Sequence, residues 1–248
     1  MMKRTLLHAL LLLLLASFLL ASCSKIPELD YSNGSFVNEK SGVSYLAAPL
    51  NYKARNYIEN GEIAKIPYKK TEDMILYSID KVDSEKYLTN TESQLFYNST
   101  LKLPTLWEMQ AEKINVVTVA EIQHSIVSIT EEADIAAIVN AYQNGAHFSH
   151  DEISVELTPK RYDLEFASPL YPAFYYVLTY WSFQSEVLVY EVIESTEGFV
   201  SSYEGIEVSF ETFEDETYAV YHFGKHLIYD RETGECYPIG DAVAKHLA

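Results

Sequence analysis

Residues 174–193 read FYYVLTYWSF, QSE and VLVYEVI, so two long apolar and aromatic runs are separated by three polar residues. Aromatic and β-branched runs of this length favour β-strands. Because successive side chains of a strand point to opposite faces, the first run divides into two sets. The two sets are Phe174, Tyr176, Leu178 and Tyr180 on one face and Tyr175, Val177, Thr179 and Trp181 on the other. Both sets are apolar or aromatic, which predicts a central strand covered on both sides or a strand with one exposed adhesive face.

The sequence around this stretch predicts mostly further strands. After residue 150 almost every segment is β-like, and the chain closes in a predicted meander with one turn near Gly224. The strands of this meander are expected at residues 218–223, 226–230 and 236–239. Earlier in the chain, residues 55–58 and 63–66 flank Asn60-Gly61, and Asn-Gly is a strong signal for a tight hairpin turn.

Two segments have helical signals. Thr105 followed by Glu108 is a capping-box pattern, which predicts a short helix at about 106–113. Thr130 is the expected N-cap of a second, amphipathic helix at about 131–144. The apolar face of that helix is expected to consist of Ile135, Ile138, Val139 and Tyr142. Strands, a helix and then many strands predict an α+β fold dominated by antiparallel sheet.

The N-terminus has the pattern of an export signal. Lys3 and Arg4 precede a short apolar run that ends Leu20-Ala21-Ser22-Cys23. This ending resembles the bacterial lipobox, which implies that residues 1–22 are removed as a signal peptide and that Cys23 carries lipid. The alternative is an uncleaved transmembrane helix, but the run is shorter than the ~20 apolar residues that span a bilayer. The lipobox resemblance places the protein at the cell membrane, lipid-anchored on its extracytoplasmic face.

Scattered stretches of the remaining chain resemble a group of lipoproteins of unknown function from Gram-positive bacteria. The matching stretches are 30–34 (DYSNG), 42–49 (GVSYLAAP), 103–106 (LPTL) and 227–231 (LIYDR). This resemblance favours the outer face of a single cytoplasmic membrane and implies no activity. We expect a lipidated cysteine and polar tether at 23–35, followed by a single extracytoplasmic α+β domain at 36–248.

Composition excludes several classes of protein. The chain has 248 residues, 48% of them apolar, which is too many for a disordered chain. Two cysteines cannot form a disulfide scaffold, and with Cys23 lipidated, Cys236 is expected to be a lone buried thiol. The net charge is −18, and it becomes −20 after removal of Lys3 and Arg4 with the signal. An acidic chain of this kind is not expected to bind nucleic acid, because phosphate contacts need clustered Lys and Arg.

Residues 162–224 are unusual because they contain 12 acids and 17 of the 33 aromatic residues, but no Lys or Arg. A negative field with aromatic rings set into it suits a cationic ligand, a glycan or a basic protein. The candidate ligand-binding side chains are Tyr175, Tyr180, Trp181, Tyr190 and Tyr203. The alternative is that the aromatic rings are sheet core and the acids are solvated.

Two histidine pairs are candidate metal ligands, because zinc accepts imidazole and carboxylate ligands. His147 and His150 lie beside Asp151 and Glu152, with a spacing that matches no specific metal motif. His222 and His226 have the i, i+4 spacing that would face one metal on a helix, but Gly224 between them favours a hairpin tip, where the two imidazoles can still lie side by side. Both pairs are also compatible with ordinary polar surface.

Catalytic and cofactor motifs are absent from the sequence: it has no Gly-x-Ser-x-Gly elbow, His-Glu-x-x-His, P-loop or Gly-x-Gly-x-x-Gly. We therefore expect no cofactor and a non-catalytic binding or interaction module at the cell envelope. The alternatives are an envelope polysaccharide hydrolase that uses paired carboxylates and a metal-dependent module.

Overall fold

A computed structural model describes residues 26–32, 34–39, 41–68, 72–119, 124–154 and 157–247. Its regular structure is mostly β-strand. Before residue 100 the strands are β1 (Asp30–Ser32), β2 (Ser35–Val37), β3 (Ser44–Ala47), β4 (Tyr52–Ala54), β5 (Tyr57–Tyr68), β6 (Glu72–Ile79), β7 (Tyr87–Thr89) and β8 (Leu95–Asn98). After it they are β9 (Lys113–Thr118), β10 (Ser125–Ile129), β11 (Phe148–Ser149), β12 (Lys160–Ala167), β13 (Phe174–Ser182), β14 (Leu188–Ile193), β15 (Glu207–Phe213), β16 (Glu216–His222), β17 (His226–Tyr229) and β18 (Glu235–Pro238).

Within the described residues these strands form three antiparallel sheets. The first has the order β1-β2-β3-β8-β7-β6-β5. The second has the order β10-β9-β12-β13-β17-β18-β11, and β4 also pairs with β13. The third has the order β14-β16-β15. The expectation of a fold dominated by antiparallel sheet is confirmed.

The helices are few and short. Helix α1 (Leu106–Met109) begins with the predicted capping box between Thr105 and Glu108. It ends at Met109 and not near residue 113, because Gln110 has a left-handed backbone with φ +50° and β9 begins soon after. Helix α2 (Glu132–Asn144) is close to its predicted bounds, but its N-cap is Glu131 and not Thr130. Short 3₁₀ turns occur at His150–Glu152 and Ala244–His246.

Strand β13 lies inside the second sheet, between β12 on one side and β17 and β4 on the other. The side chains of Phe174, Tyr176, Leu178 and Tyr180, which the alternation places on one face, pack in a core that includes Ile135 of α2. On the other face, the Arg55 guanidinium lies 4.6 Å from the centre of the Tyr175 ring. The Arg161 guanidinium lies 5.3 Å from the centre of the Trp181 ring. Of the two predicted arrangements, the structure therefore has the strand that is covered on both sides.

Two adjacent segments, 183–187 and 223–225, connect the second sheet with the third. The Phe183 N–H donates to the Lys225 carbonyl at 2.9 Å, and the Val187 N–H donates to the Gly224 carbonyl at 2.8 Å. The Phe223 N–H returns a bond to the Val187 carbonyl at 3.0 Å. The predicted turn at Gly224 is thus a passage between sheets, and only β17 and β18 form the expected closing hairpin. These bonds hold the third sheet to the second.

The predicted hairpin turn at Asn60-Gly61 is wrong. Strand β5 runs through both residues and pairs with β6, with a shift of register between Tyr57 and Glu62 that marks a β-bulge. A Cβ on Gly61 would lie 2.7 Å from Ser78 Oγ in β6. A Cβ there would also lie 2.9 Å from the Ile58 carbonyl oxygen, so the glycine fits this close approach within the sheet and does not form the predicted turn.

The N-terminal predictions are tested only in part. The expected signal peptide and Cys23 lie outside the described residues. The expected tether at 23–35 extends too far, because Leu29 is only 1% exposed and its N–H donates to the Lys65 carbonyl at 2.8 Å. Strand β1 follows at once. In the part of the chain that the structure describes, no helix has the length and apolar character needed to cross a membrane.

Candidate functional site

The third sheet presents one face to solvent, and strand register identifies the side chains on it. Tyr190 pairs with Val220, which pairs in turn with Ser209. Directly paired residues of antiparallel strands point to the same side. We call this side the outer face. It consists of Leu188, Tyr190, Val192, Glu207, Ser209, Glu211, Phe213, Glu216, Tyr218, Val220 and His222.

Most of the opposite face of the third sheet is covered, although Phe210 and Thr212 on it are exposed. Val189, Ala219 and Tyr221 belong to a hydrophobic cluster that also contains Trp181 of the second sheet. The ring of Tyr203 covers this side and meets the Tyr221 ring edge-on at 4.7 Å. Because one face packs inward, the other remains at the surface.

Hydrophobic side chains are exposed on the outer face. Tyr190 is 52% exposed, Val192 is 59% exposed and Phe213 is 67% exposed. The Tyr190 ring meets the Tyr218 ring edge-on, with centroids 6.3 Å apart. Beneath them Val220 is completely buried. Clustered exposed apolar groups of this kind mark interaction surfaces.

Carboxylates surround these apolar groups. Between Phe183 and Gly224 the chain has ten Asp and Glu residues and no Lys or Arg. Those on or beside the outer face are Glu186, Glu207, Glu211 and Glu216. Among the described residues, this segment forms a single ion pair, between Glu186 and His222. The outer face therefore has a strongly negative field.

A chain of three side chains crosses the outer face. His222 Nε2 lies 2.9 Å from Ser209 Oγ, and His222 Nδ1 lies 3.1 Å from a carboxylate oxygen of Glu186. In the tautomer with its proton on Nδ1, the imidazole donates to Glu186 and accepts from the Ser209 hydroxyl. The order hydroxyl, imidazole and carboxylate is that of an activated nucleophile, its base and the group that orients the base.

The turn between β15 and β16 fixes the register of the outer face. Glu214 and Asp215 form a two-residue hairpin loop, and their φ values are +47° and +69°. Positive φ at both positions is the backbone of a type I′ turn, whose twist matches that of the strands. The sequence analysis did not identify Ser209, Val192 or Phe213 as site residues. Pairing residues 207–213 with 216–222 around this turn would have placed Ser209 and Phe213 on one face. Val192 lies on β14, outside that hairpin.

Among the five predicted ligand-binding aromatics, Tyr190 lies on the outer face. Tyr180 is completely buried, its hydroxyl lies 2.7 Å from His226 Nδ1, and burial raises its pKa to about 12. Trp181 is 8% exposed and stacks on Tyr229 with ring centroids 4.4 Å apart. Both are core residues, which corrects the expectation that they line a binding surface.

The remaining two predicted aromatics lie elsewhere. Tyr175 is half-buried under Arg55 on the second sheet. Tyr203 packs on the buried side of the third sheet, and its hydroxyl donates to Glu152 at 3.0 Å. The five side chains therefore do not form one surface.

The histidines predicted as metal ligands are also separated. His147 is exposed, and its ring lies 5.4 Å from that of Tyr237. His150 Nδ1 lies 3.2 Å from the Gly234 carbonyl oxygen. His226 is engaged by Tyr180, and His222 by Ser209 and Glu186 as described above.

One group of three possible metal ligands occurs within the described residues, and none of those four histidines belongs to it. The group is Glu131, Asp134 and His246. The Lys245 ammonium lies 2.5 Å from Asp134 Oδ1, and His246 Nε2 lies 2.8 Å from Oδ2. A lysine already neutralises Asp134, so this cluster is an ion-pair network that ties α2 to the C-terminal turn.

Comparison with known proteins identifies no relative. The chain matches no protein-family model, and no curated protein or solved structure is significantly similar to it. The site must therefore be interpreted from its own geometry.

Proposed function

We propose that this protein is a lipid-anchored lipoprotein of the bacterial cell envelope, and that its α+β domain binds a basic polypeptide on the outer face. The supporting observation is the combination of exposed Tyr190, Val192 and Phe213 with carboxylates, in a segment without Lys or Arg. Basic side chains of a partner would pair with the carboxylates, and its apolar side chains would cover the exposed rings.

The shape of the outer face favours a polypeptide over a small molecule. Three strands about 4.8 Å apart, two of seven residues and one of six, give a surface of about 10 by 20 Å. Small molecules bind preferentially in concave sites, whereas a sheet surface of this size accommodates a segment of protein. Opposite charge on the two partners would steer their encounter and exclude acidic competitors.

The proposed anchor is consistent with such a role. Lipid on Cys23 would hold the protein at the membrane, while the mature charge of −20 would be repelled by anionic lipid. Since Leu29 is already buried in the domain, only a few residues separate it from the lipid. The domain would therefore lie close to the membrane surface, within reach of partners in the envelope.

Binding of synthetic peptides to the purified protein tests the proposal. A peptide that alternates lysine and tryptophan should bind, and its affinity should fall as salt rises because exposed charges are screened. A peptide of lysine and glycine should bind more weakly, and a peptide of glutamate and tryptophan should not bind. Equal binding of all three peptides would contradict the proposal.

The Ser209–His222–Glu186 chain supports a second candidate function, hydrolysis of an ester. Ser209 Oγ would attack the ester carbonyl while its proton passes to His222 Nε2, and that proton would then leave with the alcohol. Water, deprotonated by the same imidazole, would release the acid and restore Ser209. Glu186 would stabilise the imidazolium in both steps.

Labelling with a fluorophosphonate that reacts with activated serines distinguishes this candidate. If Ser209 is a nucleophile, the wild type should be labelled, and both Ser209→Ala and His222→Gln should lose the label. Ser185→Ala, which changes a nearby exposed serine, should retain it. Absence of label from the folded wild type would exclude ester hydrolysis by Ser209. It would not affect the proposal that the outer face binds a peptide.

A further inference from the structure

A cavity of about 460 Å³ lies on the face of the second sheet that points away from α2. It is built by neighbouring strands: Lys53 and Arg55 at β4, Lys113 at β9, Glu165 in β12 and Tyr175 in β13. Side chains carried by paired strands are held more precisely than side chains on loops. The volume is in the range of small-molecule sites, about 300–1,000 Å³.

The charge of this cavity is opposite to that of the whole protein. Three cations line it, Lys53, Arg55 and Lys113, and Glu165 is the one carboxylate among its described lining residues. Lys53 Nζ lies 2.6 Å from Glu165 Oε1, so this pair is neutral. Arg55 and Lys113 form no ion pair with a described residue. In a chain with a net charge of −18, this is a local excess of positive charge.

Arg55 is held in place but has an unsatisfied donor. Its backbone N–H donates to the Ala173 carbonyl at 3.0 Å, and its guanidinium lies over the Tyr175 ring. Its Nε is buried and has no hydrogen-bond partner among the described residues. Because that nitrogen is closed off from solvent, a ligand in the cavity would contact the guanidinium through its terminal nitrogens.

The rest of the lining is hydroxyl and amide. Ser128 Oγ donates to Asn115 Oδ1 at 3.1 Å, and Ser93, Ser125 and Asn56 complete the polar wall. Such groups both donate and accept, which suits a ligand with several hydroxyls. A guanidinium fixed on an aromatic ring suits the planar or tetrahedral oxygens of an anion.

We propose that this cavity binds a small hydroxylated anion, a sugar that carries a carboxylate or a phosphate. Arg55 and Lys113 contact the anionic group, and the serine and asparagine side chains contact the hydroxyls. The site is separate from the outer face, and it has the opposite charge preference.

Calorimetric titration of the intact purified protein tests this proposal with three probes: galacturonate, glucose 6-phosphate and neutral glucose. We expect one or both anions to bind and glucose not to bind. Galacturonate alone identifies a carboxylate site, and glucose 6-phosphate alone identifies a phosphate site. Loss of one charge-assisted contact in Lys113→Gln should weaken binding about tenfold. Arg55→Lys keeps the charge but removes the fork of donors, and it should weaken binding similarly.

The matched control is Lys81→Gln, which removes the same charge at an exposed position outside the cavity. It should bind the anions like the wild type. The proposal is overturned if neither anion binds, if glucose binds equally well, or if Lys113→Gln and Lys81→Gln have equal effects. Thermal unfolding of each variant identifies any that fails to fold, and either the Lys113 or the Arg55 variant alone is sufficient to decide.

Discussion

The Tyr142 hydroxyl of α2 donates to Asp230 Oδ2 at 2.7 Å, which joins a helix to the end of β17 across 88 positions of sequence. The other carboxylate oxygen of Asp230 accepts from Asn51 Nδ2 and from the Glu232 N–H, both at 2.8 Å. Tyr176 of β13 also contacts the Tyr142 hydroxyl at 3.0 Å. Asp230 is only 1% exposed, so a buried carboxylate lies at the centre of a hydrogen-bond network that also includes Asn51, Tyr142 and Tyr176.

Replacing Asp230 with Ala should lower the free energy of unfolding by about 3 kcal/mol, because buried donors of Asn51 and Tyr142 would lose their acceptor. Urea unfolding followed by fluorescence measures this change. Asp80→Ala, which removes an exposed carboxylate, is the control and should change stability little. Equal effects of the two substitutions would show that the Asp230 network does not stabilise the fold.

Asp134 gives stability a specific dependence on pH. The hydrogen bond from Lys245, followed by that from His246, lowers the pKa of Asp134 below its usual value of 3.8. A lowered carboxyl pKa stabilises the fold above the unfolded value, and that contribution is lost as pH falls through the folded value. The wild type should therefore be more stable than Asp134→Asn at neutral pH, and the two should converge well below pH 3.8. A difference that is the same at both pH values would contradict this assignment.

Cys236 should be unreactive in the folded protein. It is a free, completely buried cysteine, and burial raises the pKa of its thiol to about 12. Only the thiolate reacts with iodoacetamide at an appreciable rate. Mass spectrometry should detect alkylation in denaturant and almost none in buffer. Rapid alkylation in buffer would show that β18 opens readily.

The proposed lipid anchor on Cys23 can be tested in cells that are fed labelled palmitate. We expect the label on the wild type and on a Ser22→Ala variant, which keeps a small residue before the cysteine. Cys23→Ser should lose the label and should no longer fractionate with membranes. Membrane association of Cys23→Ser would instead indicate an uncleaved N-terminal helix.

Features set by neighbouring residues could be predicted from the sequence. The capping box at Thr105 and Glu108 forms as expected, since it depends on four consecutive residues. Ile135, Ile138 and Val139 of α2 are buried as their spacing predicts. The alternation of side chains along β13 also follows from local geometry.

Features set by distant pairing could not be predicted. The Asn60-Gly61 pair is typical of a hairpin turn, but Gly61 instead lies within β5, close to Ser78 in β6. The division of residues 174–193 between two sheets depends on hydrogen bonds with Gly224 and Lys225. The cavity cations come from positions 53, 55 and 113, and only the pairing of β4, β9 and β13 brings them together.

Two triple variants with the same net charge test whether the carboxylates of the outer face bind the basic peptide. The variant Glu207→Gln, Glu211→Gln, Glu216→Gln removes three carboxylates from the outer face. The control Glu194→Gln, Glu197→Gln, Glu204→Gln removes three exposed carboxylates from the loops of the same segment. The net charge of the two proteins is then identical.

The measurement is the affinity of each protein for the lysine–tryptophan peptide at one low salt concentration. If each of the three outer-face contacts contributes about 0.5 kcal/mol, the outer-face variant should bind about tenfold more weakly than the wild type. The loop variant should stay close to the wild type. Equal loss in the two variants would mean that net charge alone attracts the peptide, and it would contradict a binding site on the outer face.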